Sequence, residues 1–148
     1  MKVYFAGPLF TPYERGFIDE CAAQLRAAGF DVFVPHEHEL AGTDTTPATI
    51  FRKDWDGLEP ANAVVALLDG PTVDDGTACE IGMFAELARS GGPQYRGIVA
   101  ITTDIRLERR RAGNVVGGGM NLFVGGAIES CGRIVHSVDE VVAALREL

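Results

Sequence analysis

The chain has 148 residues, of which 47% are hydrophobic and 23% are charged. This balance is typical of one folded domain with a sizeable core and excludes a disordered chain. The formal net charge of −8 disfavours nucleic acid or an anionic membrane as the main partner. Because the three cysteines form no C-x-x-C pair and the N-terminal apolar run is too short for a signal peptide, we expect a reduced, cytoplasmic protein.

The first part of the chain has the pattern strand, helix, strand. Lys2–Ala6 predicts a short strand, which Gly7-Pro8 closes. The helix predicted for Thr11–Ala28 has its apolar residues on one side, and Gly29 ends it. Asp31–Val34 predicts the second strand.

The middle of the chain begins with a polar, irregular stretch, His36–Pro47. A helix is predicted for Ala48–Leu58 and a strand for Ala63–Leu68. That strand is apolar throughout, as expected of a strand covered on both faces. The next predicted helix contains Glu80 and runs to about Arg89.

The last part of the chain repeats the alternation. Gly97–Ile101 predicts a fourth strand, and a glycine-rich loop with Gly117–Gly119 follows. Leu122–Ser130 then predicts a helix, Arg133–His136 a strand and Val138–Leu148 a helix.

Strands and helices alternate along residues 1–148 without repeats or linkers. This pattern predicts a single α/β domain with a doubly wound, parallel, five-stranded sheet in the flavodoxin-like order. Ligands of such sheets bind beyond the carboxyl ends of the strands. We therefore expect Gly7–Phe10, Asp69–Asp75 and the loop before Asn121 to meet at one edge.

Glu80 lies in the segment VDDGTACEIG, at the start of an apolar helical stripe. Either Asp75 or Thr77 is suited to cap this helix, because short polar side chains accept the free N–H groups of a first turn. The apolar residues that follow Glu80 at i+3, i+4 and i+7 are Met83, Phe84 and Leu87. The carboxylate is therefore predicted on the face that turns toward the core.

A carboxylate on an apolar face is costly unless it is paired or hydrogen-bonded. The helix N-terminus nearby favours its anionic form by only about 0.3–1 kcal/mol. A poorly hydrated anion held in this way suits nucleophilic attack on a sugar carbon. The alternative is a structural ion pair, for instance with Arg52, and we interpret Asp69 and Asp75 as structural residues too.

Four segments carry a family resemblance. They are YFAGPLF at 4–10, DWD at 54–56, NAVVALLDGPTVDDGTACEIG at 62–82 and NLFVGGAIESCGRIV at 121–135. The most specific element is D-x5-E-x-G at Asp74, Glu80 and Gly82, twenty residues after Asp54. This ordered set resembles the nucleoside 2-deoxyribosyltransferase family over nearly the whole chain.

The resemblance implies a role for each matching residue. Glu80 would be the nucleophile that carries the deoxyribose as an ester. Asp54 and Asp74 would bind the base and assist proton transfer, and Tyr4 would lie beside the nucleophile. Asn121 would come from a neighbouring subunit and contact the 5′-hydroxyl of the sugar.

The resemblance also implies the partners. The enzyme would transfer 2-deoxyribose between deoxynucleosides and free nucleobases by a retaining double displacement. It would need no cofactor and no metal, and it would be a homo-oligomer with shared active sites. In the first loop, Gly7 and Phe10 are expected to contact the substrate.

Two alternative functions stay open. The first is a deoxynucleoside 5′-monophosphate N-glycosidase, a hydrolase that uses water as the acceptor. Such relatives carry arginine or serine in the first loop, whereas Leu9–Pro12 lacks both and Arg15 lies further along. The second is a non-catalytic nucleotide- or sugar-binding module.

Other motifs have simpler interpretations. His36-x-His38 is a possible metal pair, but no third ligand is evident and a solvated turn is preferred. Arg106–Arg111 is interpreted as a solvated helix or a subunit salt bridge and not as a nucleic-acid site. Gly117–Gly119 is no P-loop, because no G-K-[ST] follows, and it is expected to deliver Asn121.

Overall fold

The computed structural model of the chain describes residues 1–38, 45–104 and 120–148. Five strands form one sheet in the order β2-β1-β3-β4-β5, and every adjacent pair is parallel. This is the flavodoxin-like order that the sequence predicts. The strands are β1 Lys2–Ala6, β2 Asp31–Phe33, β3 Ala63–Leu67, β4 Gly97–Ile101 and β5 Gly132–Val135.

The helices in the described ranges begin and end within two residues of the predicted bounds. Local sequence explains the best-defined start, where Thr11 and Glu14 form a reciprocal capping box before Pro12. None of these helices has the length and apolarity needed to cross a membrane. The helices are α1 Pro12–Ala27, α2 Pro47–Leu58, α3 Asp75–Ser90, α4 Leu122–Cys131 and α5 Val138–Glu147.

One short element lies where the sequence predicted irregular structure. Residues Pro35–Glu37 form a single turn of 3-10 helix. Pro35 favours this turn, because its fixed backbone angle suits the first helical position. Residues 39–44 of the same polar stretch lie outside the described ranges, as do the arginine run 106–111 and the glycines 117–119.

The sheet separates two apolar cores, because alternate strand residues point to opposite faces. On one face α1 and α5 cover the sheet, with Ile18, Leu25 and Leu145 fully buried. On the other face the buried residues include Leu58 of α2 and Phe84 of α3. Tyr4 of β1 points to this second face. The helix that carries Glu80 therefore packs on the side of the sheet to which Tyr4 points.

The carboxyl ends of β1, β3 and β4 lie at one level, since Ala6 pairs with Ala66 and Leu67 with Ile101. Asp69 joins the segments that follow β3 and β4. Its carboxylate accepts hydrogen bonds from Thr102 Oγ1 and Thr103 N, at 2.9 and 2.8 Å, and further bonds from Thr103 Oγ1 and the backbone of residue 104. Asp69 thus has the structural role expected of it.

Candidate active site

The candidate site lies where β1 and α3 face each other. Asp74 is the N-cap of α3, and its Oδ2 accepts hydrogen bonds from the backbone N and from Oγ1 of Thr77 at 2.9 and 3.1 Å. The expectation that Asp75 or Thr77 would be the cap is therefore wrong. Asp75 already belongs to the helix, and Thr77 supplies the donors. The cap fixes the start of the helix less than two turns before Glu80.

The hydroxyl group of Tyr4 donates a hydrogen bond of 2.5 Å to Glu80 Oε1. Tyr4 is fully buried. Burial, followed by the charge and the hydrogen bond of Glu80, raises the pKa of Tyr4 well above its ordinary value. The tyrosine therefore stays protonated and acts as a donor to the carboxylate at any physiological pH.

Glu80 is a half-buried carboxylate with a raised pKa. Burial is the main cause that raises its pKa from 4.5 to about 7. The hydrogen bond from Tyr4 opposes this rise, whereas the negative charges of Asp54 and Asp74 add to it and the positive charge of Lys53 lowers it. Near neutral pH, about half of such groups are ionised at any moment. A poorly hydrated carboxylate that is ionised in part is suited to act as a nucleophile or as a proton carrier.

The structural alternative for Glu80, an ion pair with Arg52, does not match the observed contacts. Arg52 is exposed on α2. The Glu80 carboxylate instead accepts a hydrogen bond from Tyr4, a neutral donor on the sheet. A neutral donor orients the carboxylate without cancelling its charge, which leaves the charge available for chemistry.

Asp54 and Lys53 form the wall contributed by α2. Lys53 Nζ lies 3.2 Å from Asp54 Oδ1, close enough for an ion pair. The angles are not those of a hydrogen bond, so Oδ1 is buried and accepts none from the described part of the chain. A buried carboxylate oxygen without a hydrogen bond is uncommon in folded proteins. Sequence reasoning did not single out Lys53, because nothing in the local pattern distinguishes it from a surface lysine.

An aromatic column continues from the site toward the 3-10 turn. The rings of Tyr4 and Phe33 stack with centroids 5.5 Å apart, and Phe33 stacks on His38 at 4.2 Å. His36 Nε2 lies 2.7 Å from Asp19 Oδ1 on α1. The two histidines therefore have separate partners, one aromatic and one acidic. Within the described ranges, no cluster of three or more His, Cys, Asp or Glu side chains is arranged to hold a metal ion.

The remaining predicted binding residues lie on the first loop and on α4. A Cβ atom at Gly7 would lie 2.9 Å from Ile18 Cδ1, so this glycine lets α1 pack close to the sheet. Phe10 is 77% exposed. Asn121 is exposed and caps α4, where its Oδ1 accepts a hydrogen bond of 2.8 Å from Phe123 N. The structure thus brings Tyr4 and Glu80 into direct contact, and it leaves Phe10 and Asn121 facing outward.

An open apolar groove runs beside the Glu80 helix. It has a volume of about 750 Å³, and Cys79 and Gly82, on either side of Glu80 in the sequence of α3, contribute to its lining. Phe123, which also lines the groove, is 87% exposed. Its bulky apolar lining consists of Phe51, Trp55, Met83, Leu87 and Phe123. Exposed aromatic surface of this kind is typical of an interaction site.

Comparison with known proteins gives a family and a fold. The family model described as nucleoside 2-deoxyribosyltransferase matches residues 3–135. An uncharacterised protein of Ureaplasma parvum serovar 3 is 30% identical over 158 aligned positions, which cover 100% of this chain and 96% of that protein.

Several solved structures have a fold similar to that of this chain. A conserved protein of Enterococcus faecalis V583 has a TM-score of 0.82 at 26% identity, over 99% of this chain and 98% of that one. The 2-deoxyribosyltransferase of Bacillus psychrosaccharolyticus has a TM-score of 0.66 at 17% identity, over 96% and 90%. A CMP N-glycosidase of Clostridium botulinum has a TM-score of 0.62 at 16% identity, over 100% of both chains. The last two likenesses show the fold alone.

Proposed function

Because this chain belongs to the nucleoside 2-deoxyribosyltransferase family, we propose that it transfers 2-deoxyribose between nucleobases through Glu80. The observation that carries the proposal is the half-buried Glu80 carboxylate, oriented by Tyr4 and charged in part near neutral pH because its pKa is about 7. The whole chain, residues 1–148, would act as one catalytic domain. Its three free thiols are in keeping with the reducing cytoplasm as its location.

The reaction would proceed in two displacements at the anomeric carbon. In the first, a Glu80 oxygen forms a bond to C1′ while the bond from C1′ to the base nitrogen breaks, and the electron pair leaves with the base. In the second, a nitrogen of the acceptor base attacks C1′ on the side opposite the ester, the bond from C1′ to the Glu80 oxygen breaks, and the N–H proton of the acceptor passes to the aspartate that protonated the leaving base. Two inversions give net retention. An oxocarbenium-like transition state is favoured by the negative charge beside it.

Tyr4 and the two aspartates would divide the remaining work. Tyr4 would hold one oxygen of Glu80, so that the other points at the sugar. Among the described residues Asp54 Oδ1 is buried without a hydrogen bond, and an N–H group of the base would donate to it. Asp74 uses Oδ2 as a helix cap and would keep Oδ1 for the leaving nitrogen. Proton assistance of this kind matters most for a poor leaving group.

A second copy of the chain would complete the site. Asn121 and Phe123 face outward at the start of α4, next to the apolar groove that adjoins the Glu80 helix. Contact with a second copy would cover this groove and bring an asparagine amide toward the neighbouring sugar. The active protein is therefore proposed to be a homo-oligomer with shared sites.

The test of the reaction is an incubation with a deoxynucleoside, with and without a free acceptor base. We expect a new nucleoside only when the acceptor is present, and a deoxyribosyl adduct on Glu80 by intact-mass analysis when it is absent. Glu80→Ala should lose nearly all turnover. Glu20→Ala, an exposed change on α1, is the matched control and should stay active. Near-normal turnover of Glu80→Ala would refute the assignment.

The same assay separates the alternatives. Free deoxyribose phosphate from a 5′-monophosphate, with no transfer, would indicate an N-glycosidase. The guanidinium group of Arg15, on α1, donates to the carbonyl of Leu9 in the first loop at 2.5 Å, so it is already engaged on the protein. Binding without any turnover would indicate a non-catalytic module.

The shared site has its own test. Asn121→Ala should weaken turnover of a normal deoxynucleoside more than that of its 5′-deoxy analogue. Co-expression of Asn121→Ala with the inactive Glu80→Ala should restore activity, since a hybrid can hold one pocket with both residues intact. Absence of rescue in verified hybrids, or a fully active monomer in sedimentation, would contradict shared sites.

A further inference from the structure

Lys53 is one of only two lysines in the chain, and its side chain is largely withdrawn from solvent, with 17% exposed. In the described ranges its ammonium group has two partners. It donates a hydrogen bond of 3.1 Å to the carbonyl of Pro35, and it lies 3.2 Å from Asp54 Oδ1. The lysine thus ties α2 to the 3-10 turn that follows β2.

The charged groups around Glu80 show why the position of the Lys53 ammonium group matters. In the described part of the chain, four side chains act on the charge of the Glu80 carboxylate: Tyr4 from β1, Lys53 and Asp54 from α2, and Asp74 from the start of α3. Two of them are anionic and one is a neutral donor. Among these four side chains of the described residues, Lys53 is the cation. Without it, three carboxylates would share one partly dehydrated region, and at least one would tend to stay protonated.

We propose that Lys53 is a positioning residue of the Glu80 site, which holds the Asp54 carboxylate in place and offsets the negative charge that Glu80 meets. It touches neither sugar nor base in this scheme. Its anchor on the Pro35 carbonyl fixes the ammonium group, so the offset is built into the fold and does not depend on a mobile surface chain. The family resemblance assigned no role to this residue.

The competing explanation is a purely structural tether between α2 and the 3-10 turn. Both explanations predict a loss of stability when Lys53 is removed. They differ in the ionisation of Glu80, since only a charge placed close to the carboxylate changes its titration. The decisive readout is therefore the titration of Glu80, which can be followed without any substrate.

The experiment compares Lys53→Met with Lys53→Arg and with Arg52→Met. Arg52 is the neighbouring cation on α2 and is exposed, so its change removes the same charge from the same helix. The side-chain carboxyl carbons are labelled with ¹³C, and the Glu80 signal is assigned from its absence in Glu80→Gln. In Lys53→Met the midpoint of the Glu80 titration should rise by about one pH unit. It should stay close to the wild-type value in Lys53→Arg and Arg52→Met.

Activity gives the second readout and rests on the proposed function. A rise of about one unit, from a pKa near 7, lowers the ionised fraction at pH 7 from about one half to about one tenth. We therefore expect kcat/KM to fall about fivefold at pH 7 and to recover toward pH 9. Lys53→Arg should keep the wild-type profile. A tether alone would lower kcat/KM by the same factor at every pH.

Each outcome decides between the explanations. An unchanged Glu80 midpoint in Lys53→Met, or an equal rise in Arg52→Met, overturns the proposal. If the midpoint rises while the wild type shows no turnover at all, the transferase proposal fails and the electrostatic role of Lys53 stands. If Lys53→Met does not fold, Lys53→Gln repeats the test, because its amide also lacks the charge but can still donate to the Pro35 carbonyl.

Discussion

Replacement of Glu80 by glutamine should stabilise the protein at neutral and alkaline pH while it abolishes turnover. The folded protein raises the pKa of Glu80, chiefly by burial, so the native state binds this proton more tightly than the unfolded chain does. Between the two pKa values the unfolded chain has lost the proton and the native protein keeps it. The stability that Glu80 contributes is therefore complete below about pH 4.5 and is lost as the pH rises through 7.

The size of the effect follows from the two pKa values. A difference of one unit corresponds to about 1.4 kcal/mol, so a rise from 4.5 to about 7 corresponds to about 3 kcal/mol. Glutamine has nearly the same shape, can accept the hydrogen bond from Tyr4 and carries no charge. Relative to the wild type, Glu80→Gln should gain about 3 kcal/mol in the free energy of unfolding between pH 4.5 and pH 8.5. For a chain of this length that is a shift in Tm of about 6–12 °C.

The assay is urea unfolding at intervals between pH 4.5 and pH 8.5, for the wild type, Glu80→Gln and Glu20→Gln. The quantity of interest is the difference between each variant and the wild type, because other titrating groups cancel in it. Glu20 is exposed on α1, so its variant should run parallel to the wild type over the whole range.

A flat difference between Glu80→Gln and the wild type would refute the reasoning, since it would mean that Glu80 ionises as freely in the folded protein as in the unfolded chain. A stronger contradiction would be that Glu80→Gln loses stability relative to the wild type as the pH rises. It would mean that Glu80 is held by a cation, as in the structural interpretation of this residue.

Three further changes test other contacts. Tyr4→Phe removes the hydrogen bond that opposes the raised pKa of Glu80. The fall in the free energy of unfolding with rising pH should therefore extend to higher pH, and turnover should drop. An unchanged dependence of the unfolding free energy on pH would contradict this. Gly57→Ala places a methyl group against the ring of Phe33 and should cost about 1–3 kcal/mol in urea unfolding, whereas Gly16→Ala on α1 has free space and should not destabilise. Asp69→Ala removes the acceptor of the bonds from residues 102–104 and should cost about 2 kcal/mol; a loss below about 0.5 kcal/mol would mean that these bonds are replaced by water.

Much of the fold follows from local patterns. The period of the apolar residues, the glycine and proline stops and the cap residues are properties of short segments, and they predicted the strands and helices almost residue by residue. The ordered alternation then left few topologies to choose from. Glu80 can be identified as a candidate site residue from the sequence, because about three helical turns are enough to show a carboxylate within an apolar stripe.

The contacts that define the site could not be obtained in that way. Asp74 and Asp75 are both suitable caps, and only the path of the backbone into α3 selects Asp74. Lys53 resembles any surface lysine until α2 packs beside the turn after β2.

The sequence by itself determined the order of the elements, the family and the presence of a carboxylate on a buried face. Only the tertiary structure decided what that carboxylate meets. Tyr4 and Glu80 are 76 positions apart in the chain, and their hydrogen bond exists because β1 lies beside β3 in the sheet and α3 packs over both. Local periodicity fixes which face of an element is apolar, but the register and packing of distant elements set the distances between their side chains. The ionisation of Glu80 depends on those distances and on burial, so it is a property of the assembled fold.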